Sequence, residues 1–321
     1  MLGIISRVLN IDIIHATLRC SAPVIYAAMA CAISRQVGLL NISVEGTMLV
    51  SCFSAVVVSY YSGSWLLAIL VSVLVGIIFA LVLATASIKF KGNILIVGVS
   101  LNMIATYGTK FVLMKVFKLT SSFSSPEIVS IPNVHIVALE KYPKLSAVFN
   151  DFNICELILP LVIFILWFAL YKTVWGLRVR TVGMNDTAAK TSGINPSVKK
   201  LQCLILSGAI AGFGGAYLSL GYVTMFIEKM TSGRGYMGMA AMNFGNANPV
   251  TAALGSLIFG FFTALSARVQ LIGIPSQIVN AVPYAAVVIV LVLVNRNNLL
   301  KEKKRNSSLL YKEKQVVKME N

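Results

Sequence analysis

This chain of 321 residues is short of charge. Charged residues make up 12% of it, half or less of what a soluble chain carries. Acid is scarcer still, with 11 Asp and Glu against 27 Lys and Arg and a net charge of +16. There are two histidines, His15 and His135, far apart, which leaves no His-based metal site. The five cysteines (Cys20, Cys31, Cys52, Cys155, Cys203) form no C-x-x-C pair and fall mostly in apolar blocks, as small buried hydrophobes do. No G-x-x-x-x-G-K-[ST] occurs, so there is no recognisable P-loop, and H-E-x-x-H is also missing. GRGYMG at 233–238 fits G-x-G-x-x-G, but the dinucleotide reading needs a strand and a βαβ unit. Among long apolar runs those glycines read instead as close helix packing or a helix break. No nucleophile, base and acid stand together, so nothing here suggests an enzyme acting alone.

What the chain has in abundance is apolar sequence. It is 57% hydrophobic, with a mean hydropathy of +0.84. The apolar residues come in blocks near 14–33, 42–60, 66–88, 94–116, 154–172, 201–221, 250–268 and 277–295, with a shorter one at 235–247. A transmembrane helix needs roughly 20 such residues. The expected class is therefore all-α: a polytopic bundle of about eight to ten membrane helices, forming one domain over 1–295. The first block has no clear A-x-A cleavage site after it and reads as a membrane helix rather than a signal peptide.

The positive charge follows from this class, because cytoplasmic loops collect Lys and Arg. Residues 173–200 and their flank hold Lys172, Arg178, Arg180, Lys190, Lys199 and Lys200 against Asp186 alone. Lys89 and Lys91 mark a second basic turn, and the tail 296–321 is basic throughout. The loop 117–153 instead balances Lys118, Lys141 and Lys144 with Glu127, Glu140 and Asp151. These turns and the tail should face the cytoplasm, with 117–153 outside and the N-terminus outside. The parity closes only if 235–247 also crosses or dips into the membrane. The tail reads as solvated and headgroup-facing, with no nucleic-acid role.

Several polar residues sit at membrane depth. In GLLNISVEGTMLV (38–50), Asn41 and Glu45 stand at the mouth of an apolar block. A carboxylate there should face a cavity or a partner. Alternatively, Asn41 caps a helix whose first turn holds Glu45, near the positive end of the helix dipole. Asn102, Asn243 and Asn280 suit either a path for a hydrogen-bonding solute or plain helix–helix hydrogen bonds, and Pro283 can open a helix backbone. Along 201–221, Gly208, Gly212 and Ala216 line one face and Ser207, Ala211 and Gly215 the next, spacing that lets other helices approach closely or that lines a pore.

Between two greasy runs lies NDTAAKTSGINPSVKK (185–200). Asn185 or Asp186 can cap a helix over TAAKTS, Gly193 can end it, and Asn195 with Pro196 opens the next. A helix of two turns is marginal alone in water, so something should dock it. Ala188, Ala189 and Ile194 suit a groove on another protein.

At this point the sequence resembles a known family. GLRVRTVGMNDTAAKTSGINPSVKKLQCLILSGAIAGFGGAYLSLG resembles the cytoplasmic coupling loop and following helix of ABC-importer permeases of the ribose, nucleoside and branched-chain amino acid branch. GLLNISVEGTMLV is similar to that branch's G-x-x-N-I-x-x-E-G signature, and GRGYMGMAAMNFGNANPVTAALGSLIFGF to its G-x-G-[FY]…A…FG-x-x-x-P segment. NAVPYAAVVIVLV is similar to the last membrane helix of its nucleoside and simple-sugar members. The likeness runs from about Val24 to Val294. It implies a cell-membrane permease subunit for a nucleoside, purine above all, or a simple sugar. Its implied partners are an ATPase holding ATP and Mg, a second and distinct permease chain, and an extracytoplasmic solute-binding protein; this chain itself would bind no cofactor. The resemblance carries Gly183, Asp186, Ala188, Ala189, Gly193 and Ile194 as contacts to the ATPase, and leaves Asn41, Glu45, Asn102, Asn243 and Asn280 as the translocation path. A branched-chain amino acid permease is the alternative, with Glu45 as counter-charge. A stand-alone secondary transporter using Glu45 and Lys110 is a third reading, and a purely structural membrane subunit a fourth. Phe53, Tyr107, Tyr222 and Phe226 are aromatics that could stack on a base.

Overall fold

A computed structural model describes residues 12–135 and 150–270, with Val282, Ala285 and Val292 beyond them. Within these residues the apolar blocks become helices almost where the hydropathy put them. They are α1 (Asp12–Gln36), α2 (Val44–Ser62), α3 (Trp65–Ala84, prolonged by a π-turn over Thr85–Lys89) and α4 (Ile94–Lys115). After the 117–153 loop come α5 (Ile154–Lys172), α6 (Val174–Met184), the short α7 (Asp186–Thr191) and α8 (Pro196–Ala216, prolonged by a π-turn over Tyr217–Val223). The short helix α9 (Arg234–Phe244) and α10 (Pro249–Gln270) complete the described part. Seven of these elements are long and apolar enough to cross a membrane. The block expected at 277–295 lies outside the described residues, apart from the three named above, as do the tail and Glu140, Lys141 and Lys144 of the loop.

The centre of the bundle is α1 and α8, the most enclosed of the spans. α8 packs on α1, α2 and α3, and α10 lies along α1. The small-residue faces read from the sequence are what make this possible. A Cβ on Gly208 would stand 2.4 Å from the Gly76 carbonyl, and one on Gly212 2.6 Å from that of Ser72. Gly215 meets Met48 and Ser51 of α2, and Gly214 meets Tyr26 of α1. Backbones this close exclude any larger side chain, so the stripes serve helix packing. Tyr26 and Tyr217 are fully buried beside them. All five cysteines are buried and unpaired.

One end of the bundle gathers the Lys- and Arg-rich turns, the end that the charge rule assigns to the cytoplasm. There the 87–94 turn, Leu39 and the 186–200 loop share a groove. The other end carries two small antiparallel pairings, β1 (Ser122–Phe123) with β4 (Phe226–Ile227) and β2 (Asn133–Val134) with β3 (Phe152–Asn153). The expectation of pure α structure thus needs these short pairings added, and β1–β4 has a consequence. It holds the chain after α8 at the outer end, so residues 228–247 must return to the cytoplasmic end. They do so without a full helix. α9 has 11 residues, roughly 16 Å at about 1.5 Å each and about half of a ~30 Å hydrocarbon core. It lies against α1, α2 and α10, inside the bundle rather than in lipid. Irregular backbone at depth is tolerated only in such a place. The short block expected at 235–247 is this half-helix.

Candidate functional site

Two regions hold the residues singled out from the sequence. The first is the cytoplasmic loop. Asn185 is the cap of α7, its side chain accepting from the N–H groups of Thr187 (2.9 Å) and Ala188 (3.1 Å). Gly193, at φ +79°, turns the chain out of the helix, and Ile194 N–H returns to the Ala189 carbonyl. Asn195 then caps α8 with Pro196 in its first position. Asp186 is ion-paired to Lys200, which ties α7 to α8. Ala189 is fully buried within the chain and Ile194 half-buried, while Ala188 is exposed. Part of what docks this helix is therefore the protein itself. Its outward face, with Thr187 and Lys190, edges an open groove of about 890 Å³ that reaches Leu39, Ile88 and Ile94.

Gly183 ends this region against α1. A Cβ there would fall 2.1 Å from the Gln36 carbonyl, so only glycine lets the two backbones meet. Gln36 in turn donates from Nε2 to the Ala247 carbonyl (2.8 Å) and to the Tyr171 hydroxyl (3.2 Å). The end of α6, the end of α1 and the turn after α9 thus meet at one joint.

The second region lies at membrane depth, where α9 begins. Asn41 accepts from the N–H (3.0 Å) and hydroxyl (2.7 Å) of Ser43, and donates to Ser207 of α8 (3.1 Å). Ser207 passes its own hydroxyl on to the Ala30 carbonyl of α1. Ser43 holds the cap position of α2 without a side-chain bond to the helix. Glu45, in the first turn of α2, turns to another helix: Oε1 accepts from Gly233 N–H (2.8 Å) and Oε2 from Gly235 N–H (2.7 Å). A half-helix whose N-terminus lies at depth has free N–H groups and a positive dipole end, and the carboxylate answers both. Gly233 and Gly235 matter here because a Cβ on Gly235 would stand 2.7 Å from Glu45, and Gly233 has φ +77°. Asn102 closes the junction. It accepts from Gly46 N–H (2.8 Å) and donates to the Ile42 carbonyl and the Tyr236 hydroxyl, both at 3.0 Å.

The structure therefore gathers Glu45 and Asn102 around the start of α9 and ties Asn41 to α8 through Ser207. Asn243 is exposed in the last turn of α9, towards the cytoplasmic end, away from the cluster. Asn280 lies outside the described residues. Of the aromatics, Phe53 and Phe226 pack on each other inside the core at 5.0 Å between ring centres. Tyr222 sits between two guanidinium groups, Arg19 at 5.6 Å and Arg234 at 5.9 Å, and Tyr107 is exposed on α4. Arg234, Tyr236 and Gln36 were not picked out from the sequence. The first two were in plain view inside GRGYMG, whose break in an apolar stretch was the available signal; Gln36 had none.

A family profile described as the branched-chain amino acid transport system, permease component, matches residues 13–294. The guanosine ABC transporter permease protein NupQ of Bacillus subtilis is 31% identical, over 86% of this chain and 88% of its own length. The nucleoside ABC transporter permease protein NupC of Lactococcus lactis is 32% identical, over 84% and 87%. The putative glucose ABC transporter permease protein TsgC13 of Haloferax volcanii is 29% identical, over 80% and 78%. No solved structure matches the chain.

Proposed function

The chain belongs to the ABC permease family of the branched-chain amino acid transport type, and from that premise we propose that it carries a purine nucleoside inward across the cell membrane. It is a multi-pass transport subunit, of an importer for nucleosides or sugars. Its working partners are an ATPase that binds ATP and Mg, an extracytoplasmic solute-binding protein and a second permease chain. That second chain is a distinct homologue, in line with the two Bacillus subtilis guanosine permeases, NupQ and NupP, that both match this sequence.

The observation that carries the choice of solute is the state of Glu45. An amino acid brings a carboxylate and an ammonium, and each needs a counter-charge in a medium of low dielectric. Glu45 was the sequence's candidate for that task, and both of its oxygens are taken by Gly233 and Gly235. A neutral, hydroxyl-bearing solute makes no such demand.

Coupling starts at α7, in contact with the ATPase through Ala188 and its neighbours. Gly183 passes the displacement to Gln36, and Gln36 to the turn after α9. α9, held at its other end by Glu45, then tilts within the bundle and alternates access from the two sides.

Uptake tests the reading. The gene is deleted and restored, and labelled guanosine, ribose and leucine are followed with and without energy poisoning. Guanosine uptake should fall in the deletion, return on complementation and require energy. A loss confined to leucine would overturn the solute.

A further inference from the structure

α4 exposes one broad apolar face with a polar row along one edge. The far flank of that face shows Ile104 and Phe111, 60% and 62% exposed, as a surface in lipid should. The row follows Asn102, which is buried, the half-buried Thr106 and Lys110, four residues apart and so stacked along one side of the helix, next to the exposed Val99 and Met103. The returning segment 228–236 meets this row at both ends. Tyr236 takes the Asn102 amide (3.0 Å), and Glu228 takes the Lys110 ammonium (3.0 Å). The row is not sealed: Tyr236 is 46% exposed, and the Lys110 and Glu228 side chains 41% and 21%. Asn102 lies little more than a third of the way along α4, and Lys110 three-quarters. Ionised and hydroxyl-bearing groups at such depth face water or protein, not acyl chains.

We propose that the row Asn102–Thr106–Lys110, with Tyr236 and Glu228 opposite, lines the aqueous route by which the solute crosses. This deepens the permease reading and rests on it. The chemistry selects an uncharged, hydroxyl-rich solute with a flat ring. Lys110 and Glu228 cancel each other's charge yet still offer donors and acceptors, and Tyr236 presents a ring face already anchored through its hydroxyl. A phosphate or a zwitterion would have to break the Lys110–Glu228 pair to bind.

The test uses thiol reactivity in the complete transporter, in open membranes reachable from both sides. The five cysteines of this chain are all buried, so its own background reaction is low, and the same reagent on the wild-type transporter measures that of the other subunits. Met103→Cys and Thr106→Cys place a thiol beside or on the row, and neither original side chain bonds another element. Ile104→Cys and Phe111→Cys mark the far flank. Each variant must first reach the membrane as assembled transporter in wild-type amount, which certifies its fold. A membrane-impermeant cationic methanethiosulfonate should then react at 103 and 106 at least about tenfold faster than at 104 and 111, because it attacks the thiolate, which forms in water and not in lipid. It should also block uptake at 103 and 106. Equal rates on the two flanks would overturn the route, as would slow reaction at all four positions, which marks a buried face against another chain. Should the wild-type transporter carry no nucleoside at all, the solute reading fails on that measurement alone, and the contrast in rates still decides the route.

Discussion

Glu45 shows how much one residue's meaning depends on its neighbours. In the sequence it was either a charge facing a cavity or partner, or a first-turn acid near a cap. In the structure it occupies a first turn, but the helix end it satisfies is that of α9, far along the chain. Hydrogen bonds to a charged acceptor contribute about 1.5–3 kcal/mol each, less where water reaches them. Glu45→Gln keeps the shape, loses the charge and can serve only one N–H. The expected outcome is a folded but weaker protein, lower by roughly 1–3 kcal/mol in thermal unfolding of the purified transporter, with uptake impaired. An unchanged melting midpoint would rule out the clamp. Lys110 and Glu228 allow a cleaner exchange. Lys110→Glu puts two like charges side by side in the row, where each disfavours the other, and uptake should be lost. Adding Glu228→Lys restores the opposite pairing, and uptake should return in part. Failure of the double variant to recover anything would mean that the pair's orientation, or something other than pairing, is what counts.

At the scale of elements, the bundle rests on crossings where glycine is required by distance. α3 and α8 meet at Gly76, Gly208 and Gly212, each with a carbonyl of the other helix where a Cβ would go. Gly208→Leu should separate them. Overpacking costs typically 1–3 kcal/mol and more where backbone is the obstacle, so assembled transporter should be sharply reduced in membrane fractions, while Gly63→Ala, in open space, serves as control. The control carries its own small strain, since Gly63 has φ +61°. The helix α7 depends on chemistry of another kind. Six residues cannot hold a helix alone; caps at both ends and the buried Ala189 hold this one. Asn185→Ala removes the acceptor for two N–H groups and should cost about 1 kcal/mol. The bundle elsewhere is untouched, so the effect should appear in transport rather than expression: fewer solute molecules moved per ATP hydrolysed. A normal ratio would show that α7 does not need its cap to work.

Over the whole molecule, the joint at Gln36 connects the cytoplasmic loop with α9, and α9 with the polar junction at depth. Gln36→Leu is similar in size and removes both hydrogen bonds. ATP hydrolysis by the assembled complex should continue while uptake falls several-fold, and Gln36→Glu, which cannot donate to the Ala247 carbonyl, should not rescue it. Equal loss of hydrolysis and uptake would indicate a purely structural joint. A reporter fused after residue 187 should read cytoplasmic and one inserted near 125 extracytoplasmic; a cytoplasmic reading at 125 would break the topology.

The sequence by itself determined the class, the positions of the seven described spans and the helix caps of the 185–200 loop. Each of these follows from short-range rules: blocks of about 20 apolar residues, Asn and Pro at helix starts, Gly193 at a helix end, and lysines left on one side. It even marked α9 as an exception, through the parity of the crossings. Tertiary structure decided the partners. Glu45 with Gly233 and Gly235, Asn102 with Tyr236, Lys110 with Glu228, and Gln36 with Ala247 all join residues far apart along the chain. Such pairs have no period and no fixed spacing. They exist because a polar group taken out of water must find its complement wherever the packing of the helices brings one within reach.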